Sequence, residues 1–444
     1  MPFDTEGAPV LLSEHVRKLR AVQDLDPTSD GWHRARAGRG MRRPVFVVCL
    51  AVFGLMAGQQ LLNPILPPLA REFGFSEFAL GAVWAVGGAG VVLASPFWGR
   101  RSAIQGHRPV LLISLAGAMI ALLGFAFVAQ LGLTGVLAGP VLFTAVLLTR
   151  GVAFGLAWAA TPVTAQSYIA DVTSGPAERV RGMAVFGAAQ GLALAVGPAL
   201  GGALSLTGNL LVPVYAAPVI LAVIGLVIAF ALPKPPRNLP QEREIPVTAK
   251  VSPFDKRLWP FLTLGFGLYL ALAIVLMTVG FLVQDRLGLT TQETGRVTGL
   301  VMLAGAGMII LVQAVAVPRL DWPPLRLVRV GAVVMTGGML LVAAGSDGLL
   351  LGAGVAVLGA GMGFATPGFL SAPTLLATRE EQGAVAGLMG SGSALAFMGG
   401  PLLGTGLYEI APAVPYIAGA VLLAGLAAFA CTVTREPAKE PVAP

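Results

Sequence analysis

The chain has 444 residues, 56% of them hydrophobic and 11% charged, with a mean hydropathy of +0.81. So little charge over this length excludes a soluble globular domain, and apolar runs of bilayer-spanning length recur about a dozen times. The net charge of +7 is spread through short breaks between those runs, which argues for one face of a membrane and against nucleic-acid binding.

Residues 1–43 read as a cytoplasmic N-terminal tail. Its one amphipathic stretch is Leu12, Val16, Leu19 and Gln23, with Arg17, Lys18 and Arg20 on other faces. An unstructured extension is the preferred reading over a helix on the inner leaflet. No cleavable signal peptide is expected, because the first apolar segment is late and long; Met41, ahead of Arg42 and Arg43, offers an alternative start. An N-terminal half, 44–232, holds spans at 44–68, 77–98, 109–130, 136–160, 182–206 and 211–232. A Pro-rich, charged linker, 233–258, follows outside the membrane. A C-terminal half, 259–433, holds spans at 259–283, 294–317, 326–345, 348–376, 383–408 and 413–433, and residues 434–444 form a cytoplasmic tail.

Of the 29 Lys and Arg residues, 25 fall in the tails and in the loops on their side, and three (Arg71, Arg286, Arg296) on the other. The positive-inside rule therefore puts both termini in the cytoplasm and the chain in the plasma membrane as a multi-pass protein. Cys49 and Cys431 sit in the first and last spans and suggest neither a disulfide nor a metal site. His15, His33 and His107 all lie outside the spans. No metal, cofactor or nucleotide motif is read: Gly88-Ala89-Gly90 and Gly359-Ala360-Gly361 lie within apolar spans with no strand before them and no Lys after.

The halves echo each other. Gly197-Pro198-Ala199-Leu200-Gly201 closes the fifth span and Gly400-Pro401-Leu402-Leu403-Gly404 the eleventh, an offset of 203 residues. A parallel repeat of six spans is a transporter architecture with the substrate path between the halves.

Four segments carry a family resemblance over about residues 44–433. The loop from Gly99 to Leu111 keeps Gly99, Gly106, Arg108 and Pro109 of the pattern G-x-x-x-D-R-x-G-R-R-P-V-L, but has Ala103 for the acid, Ile104 for its basic neighbour and His107 for an Arg. Two glycines there suit a tight turn. In the fifth span, Gly187, Gly191, Pro198 and Gly202 share one helical stripe, with Gln190, Gly197 and Gly201 beside it. The first span ends Gly58-Gln59-Gln60-Leu61-Leu62-Asn63-Pro64, and the fourth is followed by Tyr168-Ile169-Ala170-Asp171 and Glu178-Arg179-Val180-Arg181. The chain thus resembles the major facilitator superfamily, in its twelve-span drug:proton antiporter branch that includes tetracycline-type exporters. The resemblance implies an all-α membrane protein of twelve transmembrane helices in two pseudo-symmetric six-helix halves. It also implies that the fifth-span pattern belongs to exporters, that an Arg in span four assists proton coupling, and that the loop acid absent here would form a cytoplasmic charge lock. The inner-surface charges Asp171, Glu178, Arg179 and Arg181 are expected in weak surface salt bridges.

Arg150 is the charged residue placed well inside a span, where an unpaired charge is costly and usually faces a cavity. Its spacing to Gly155 is one residue longer than the family's usual pattern. No Asp, Glu or His is placed deep in a span; Asp171, Asp285, Glu293 and Glu409 lie at the edges, and Glu293 has Arg296 three residues on as an ion-pair partner. Gln59, Gln60, Asn63, Gln190 and Gln313 are cavity candidates on a par with interhelical bonding. Trp84, Phe154, Trp158, Phe266, Tyr269 and Met277 are candidate pocket walls. Gly197, Pro198, Gly201, Gly202, Gly400, Pro401 and Gly404 are expected to form sliding surfaces for alternating access.

The leading expectation is a secondary exporter of a small amphipathic drug or metabolite, coupled to protons where coupled at all. The alternatives are uptake or exchange of an organic anion through Arg150, and a membrane sensor or scaffold without transport. An enzyme is not expected, since no nucleophile–base pair appears. The expected partners are a small molecule, protons and the lipid bilayer, with the chain acting as a monomer.

Overall fold

A segment inside lipid must satisfy its own backbone hydrogen bonds, and every regular element among the described residues is helical. The computed structural model describes residues 27–173, 176–232, 252, 254–320, 322–378 and 381–433. The amphipathic stretch of the tail, most of the linker and the last eleven residues lie outside them.

The N-terminal helices are α1 (Pro27–Leu62), α2 (Glu77–Gln105), α3 (His107–Leu133), α4 (Gly139–Val172), α5 (Pro176–Leu204) and α6 (Leu211–Ala231). The C-terminal helices are α7 (Trp259–Leu287), α8 (Thr291–Leu320), α9 (Pro324–Ala344), α10 (Gly348–Leu376), α11 (Gln382–Ile410) and α12 (Val414–Thr432). Eleven of them contain segments long and apolar enough to cross a membrane. The twelfth, α11, has 29 residues, enough to cross a bilayer as a helix.

Several boundaries differ from the sequence reading, each for a local reason. The first helix begins at Pro27, inside the expected tail, with proline at its first position where no N–H is needed. It ends at Leu62 rather than 68: Asn63-Pro64-Ile65 turn, and a short helix, Leu66–Glu72, restarts on Pro67 and Pro68. The loop between α2 and α3 shrinks to Gly106 alone, at φ 86°. Gly99 is helical and not part of the turn; a Cβ there would lie 3.4 Å from Val163 on α4, so it serves packing. Pro109 is tolerated in the first turn of α3. Tyr168 to Asp171, read as loop, are the last turns of α4.

The two halves repeat one packing plan. In the first, α1 packs on α5 and α6, and α3 on α6; in the second, α7 packs on α11 and α12, and α9 on α12. The same polar device closes both: Arg108 on α3 donates to the Ala229 carbonyl near the end of α6, and Arg329 on α9 donates to Ala430 and Val433 at the end of α12. Each cation meets the unpaired carbonyls of a helix C-terminus.

Across the halves, α5 meets α8 and α2 meets α11. Small residues permit this, because lipid supplies no hydrophobic drive and close backbone approach must do the work. Across the halves, a Cβ on Gly202 would fall 2.9 Å from the Gly299 Cα; within them, one on Gly197 would fall 2.5 Å from the Gln60 Cβ of α1 and one on Gly400 2.5 Å from the Ala273 Cβ of α7. Gly201 lies against the Leu61 carbonyl, Gly404 against Ile274, and Gly81 against Pro401 and Thr405. On α5, Pro198 and Gly202 of the stripe face Gly299 on α8, while Gly197 and Gly201 beside it face α1.

This packing predicts that Gly202→Val lowers thermal stability in detergent by about 1–3 kcal/mol through overpacking. Gly187→Val, where a Cβ meets nothing within 4 Å, should leave it nearly unchanged. Equal losses in the two variants would contradict the assignment.

Candidate functional site

The middle of α4 is wound as a π-helix over Leu147–Ala153, with Arg150 in it. A π turn accommodates one extra residue, which accounts for the long spacing from Arg150 to Gly155. Gly151 and Gly155 then lie directly against Val83 and Gly87 of α2; their Cβ atoms would fall 3.1 Å from the Val83 carbonyl oxygen and 2.9 Å from the Gly87 Cα. This approach brings the guanidinium of Arg150 onto aromatic faces: its Cζ is 4.9 Å from the ring centroid of Trp84 and 4.6 Å from that of Phe154. Arg150 is 5% exposed, and its Nε and Nη2 have no protein partner. Cation–π contact covers the faces of the group and leaves its edge N–H donors unused.

Arg150 borders a cavity of about 390 Å³ between the halves, a volume suited to a drug-sized molecule. Gln59, Gln60, Gln190 and Gln313 line it, as do Gly187 and Gly191. Of the expected aromatic and Met wall residues, Trp84, Phe154, Trp158, Tyr269 and Met277 line it; Phe266 does not and is 40% exposed. Asn63 is not a liner either: it is buried and donates from Nδ2 to the Gln60 Oε1 at 3.1 Å, fixing that side chain. Gln313, like Arg150, sits in a π segment, Val312–Ala316. Sequence reasoning missed Thr366, Phe397 and Met398 of α10 and α11, which complete the wall and carry no charge to mark them.

One end of the cavity is shut. Arg71, on the short helix after α1, donates to both oxygens of Asp285 on α7 (2.5 and 3.0 Å), to Glu77 (2.7 and 3.2 Å) and to Gln284 (3.2 Å). The Tyr408 hydroxyl of α11 donates to Asp285 at 2.6 Å, and the Arg71 Cζ stands 5.0 Å from the Phe281 centroid. Burial opposes the charge of Arg71, but its hydrogen bonds to Asp285 and Glu77 outweigh this and hold the guanidinium above its ordinary range. Beside this cluster, the Phe78 N–H donates to Glu409 at 3.0 Å and Thr291 donates to Glu72. Each of these pairs joins one half to the other except Arg71 with Glu77 and Tyr408 with Asp285. Glu293, expected in an ion pair with Arg296, is instead chiefly the third residue of a capping box with Thr290.

Toward the opposite end the same helices part. Gly187 and Gly191 on α5, and Gly387, Gly390 and Gly392 on α11, leave open space within 4 Å. Here His107 bonds Asp171 at 3.0 Å and Ser102 at 2.8 Å, all within the first half. Ala103, where the family carries its acid, is exposed. Glu178 and Arg181 are exposed at the start of α5, and the side chain of Arg179 lies outside the described residues.

Twelve helices in two repeated halves, with a cavity between them that is bordered by Arg150 and four glutamines, define a carrier of small molecules rather than an enzyme. A family profile described as Major Facilitator Superfamily matches residues 48–398, and the chain belongs to that family. It is an integral multi-pass membrane protein and a secondary transporter. It is 29% identical over 390 residues to the class B tetracycline resistance protein of Escherichia coli, covering 85% of this chain and 90% of that one. To the class D tetracycline resistance protein of Salmonella ordonez it is 28% identical over 424 residues, covering 90% and 98%. Among solved structures, the human organic anion transporter MFSD10 matches with a TM-score of 0.60 at 23% identity, covering 88% of this chain and 99% of that one. A bacterial homologue of the human lysosomal transporter Spinster, inward-facing and occupied, matches at 0.64 with 15% identity over 87% and 95%. These two likenesses establish the fold.

The shut end predicts a gate. Asp285→Asn removes the charge that Arg71 bridges to across the halves, and should shift the population toward separation of this end by up to about fivefold, the scale of a partly exposed ion pair. Spin-label distances between the α1–α2 and α7–α8 connections would read the shift; an unchanged distribution would show that the cluster does not hold the gate.

Proposed function

We propose that this chain exports a small amphipathic molecule by alternating access, and that the arrangement described is its inward-facing state. The carrying observation is the cavity, shut at the Arg71–Asp285 end and open where Gly187 and Gly191 stand clear. The excess of Lys and Arg on the open side supports a cytoplasmic position for it and for both termini, in the plasma membrane. Export is supported by the tetracycline resistance proteins among the relatives and by the α5 pattern. Arg150, Gln59, Gln60, Gln190 and Gln313 would meet the substrate, and a monomer suffices, since the cavity is complete within one chain.

Rocking would close the cytoplasmic end by bringing the open glycines of α5 and α11 against the facing half. Gly191 is free in this state, so a larger residue there would not disturb it; it would obstruct the other. A proton relay through the gate is disfavoured. Asp285 is engaged as an acceptor by Arg71 and Tyr408 while the outer end is shut, so it carries no proton inward. Proton movement would then follow the substrate's own ionisation.

The test is counterflow in proteoliposomes of the purified chain, using tetracycline together with neutral, anionic and cationic aromatic solutes. Labelled-solute exchange is expected for wild type, with loss of at least about tenfold in Gly191→Leu while membrane insertion is kept. Absence of counterflow for every solute would overturn transport and favour a sensor or scaffold.

A further inference from the structure

The donors around the cavity outnumber what the protein gives them to bond. Arg150 Nε and Nη2, Trp84 Nε1 and Trp158 Nε1 are all buried without a protein acceptor, and all three side chains line the same cavity. Among the lining residues there is no Asp, Glu, His or Lys; Arg150 and Tyr269 are the titratable ones. An unmatched buried cation and two unmatched indole N–H groups make a site short of acceptors and of negative charge. A cationic substrate would add a second like charge to a cavity with nothing to neutralise either. An anion would satisfy the guanidinium edge, and the cost of desolvating that guanidinium has already been met by the fold. The remaining wall, Phe154, Tyr269 and Phe397, offers flat apolar surface to a ring system.

We infer that Arg150, with the indole N–H groups of Trp84 and Trp158, binds the carboxylate or enolate oxygens of an aromatic organic anion, which is the transported substrate. The inference rests on the transport reading above. It also supplies a driving force without a buried acid: an inside-negative potential pushes an anion outward, so export of this class is electrogenic.

The experiment uses the full chain purified in detergent, with 2-naphthoate and its neutral isostere 2-naphthamide as probes in calorimetric titrations. Wild type should bind the carboxylate at least about tenfold more tightly than the amide, the scale of a charge-assisted bond. Arg150→Gln should erase that preference and Arg150→Lys keep part of it. Should Arg150→Gln fail to fold, Trp158→Phe decides: it should weaken 2-naphthoate more than 2-naphthamide. No preference in wild type, no binding of 2-naphthoate, a preference surviving Arg150→Gln, or equal weakening by Trp158→Phe overturns the proposal. In proteoliposomes preloaded with 2-naphthalenesulfonate, a potassium–valinomycin potential, negative inside, should speed efflux, and indifference to potential would count against it. Counterflow of neutral or cationic solutes without a carboxylate preference would leave the transport reading standing and remove this one. Carboxylate-selective binding with no counterflow would keep the anion site at Arg150 but overturn its role as the site of a transported substrate.

Discussion

The arrangement of this protein depends on how closely helix backbones can approach at one end. Lipid chains are as apolar as the helices, so association must come from dispersion and backbone proximity. Gly202 meets Gly299, Gly201 meets Leu61, and Gly81 meets Pro401, all within distances that a single methyl group would violate. Gly202–Gly299 and Gly81–Pro401 join the halves near the end where Arg71 bridges to Asp285, and Gly201–Leu61 packs α5 on α1 beside them. Along α5 the series runs from tight at Gly202 to free at Gly187, so the two halves diverge like a wedge. The cavity is a consequence of that divergence, since its walls are the faces that no longer touch.

The wedge makes Arg150 tolerable. A guanidinium held against lipid would be expelled or would snorkel, but here it faces a cavity and is stacked on Trp84 and Phe154. The π turn makes this stacking possible, because it keeps Gly151 and Gly155 in contact with α2 while turning the intervening side chains. Had α4 been a regular helix, one of those two registers would have been lost. Close packing and charge placement are therefore one device on this helix.

Much of this was legible in the chain because bilayer physics restricts composition so strongly. The apolar runs set the helices, the repeated Gly-Pro strings set the two halves, and Arg150 stood out as a charge where charge is expensive. The π turn left a trace, the extra residue before Gly155, but only the backbone shows what absorbs it. The gate left almost none: Arg71 and Asp285 are 214 positions apart, and each sits at a span edge where charges are ordinary. For a similar reason the sequence leaves Asn63 open between cavity wall and hydrogen bond, and places Gly99 in a turn where it packs instead. An amide in a span can bond a neighbour or a ligand, and a glycine near a loop can turn or pack; which occurs depends on the facing helix.

The gate and the glycine contacts differ in kind, and the difference bears on switching. Arg71 is about a quarter exposed, so its ion pairs contribute about 1 kcal/mol or less each and can be lost without a large barrier. The glycine contacts are steric and non-polar, and can slide without stranding a buried charge. A two-state carrier needs its conformations within a few kcal/mol, and a substrate can shift them only by its differential affinity. Arg150 supplies such a difference if closing the cavity removes water from its paired edge, since the pair strengthens as its surroundings dry. For an anion the membrane potential adds about 2.3 kcal/mol per charge per 100 mV, comparable with the gap between states. The absence of a carboxylate among the cavity-lining residues is then consistent with a carrier whose driving force acts on the substrate's charge and not on a protonated side chain.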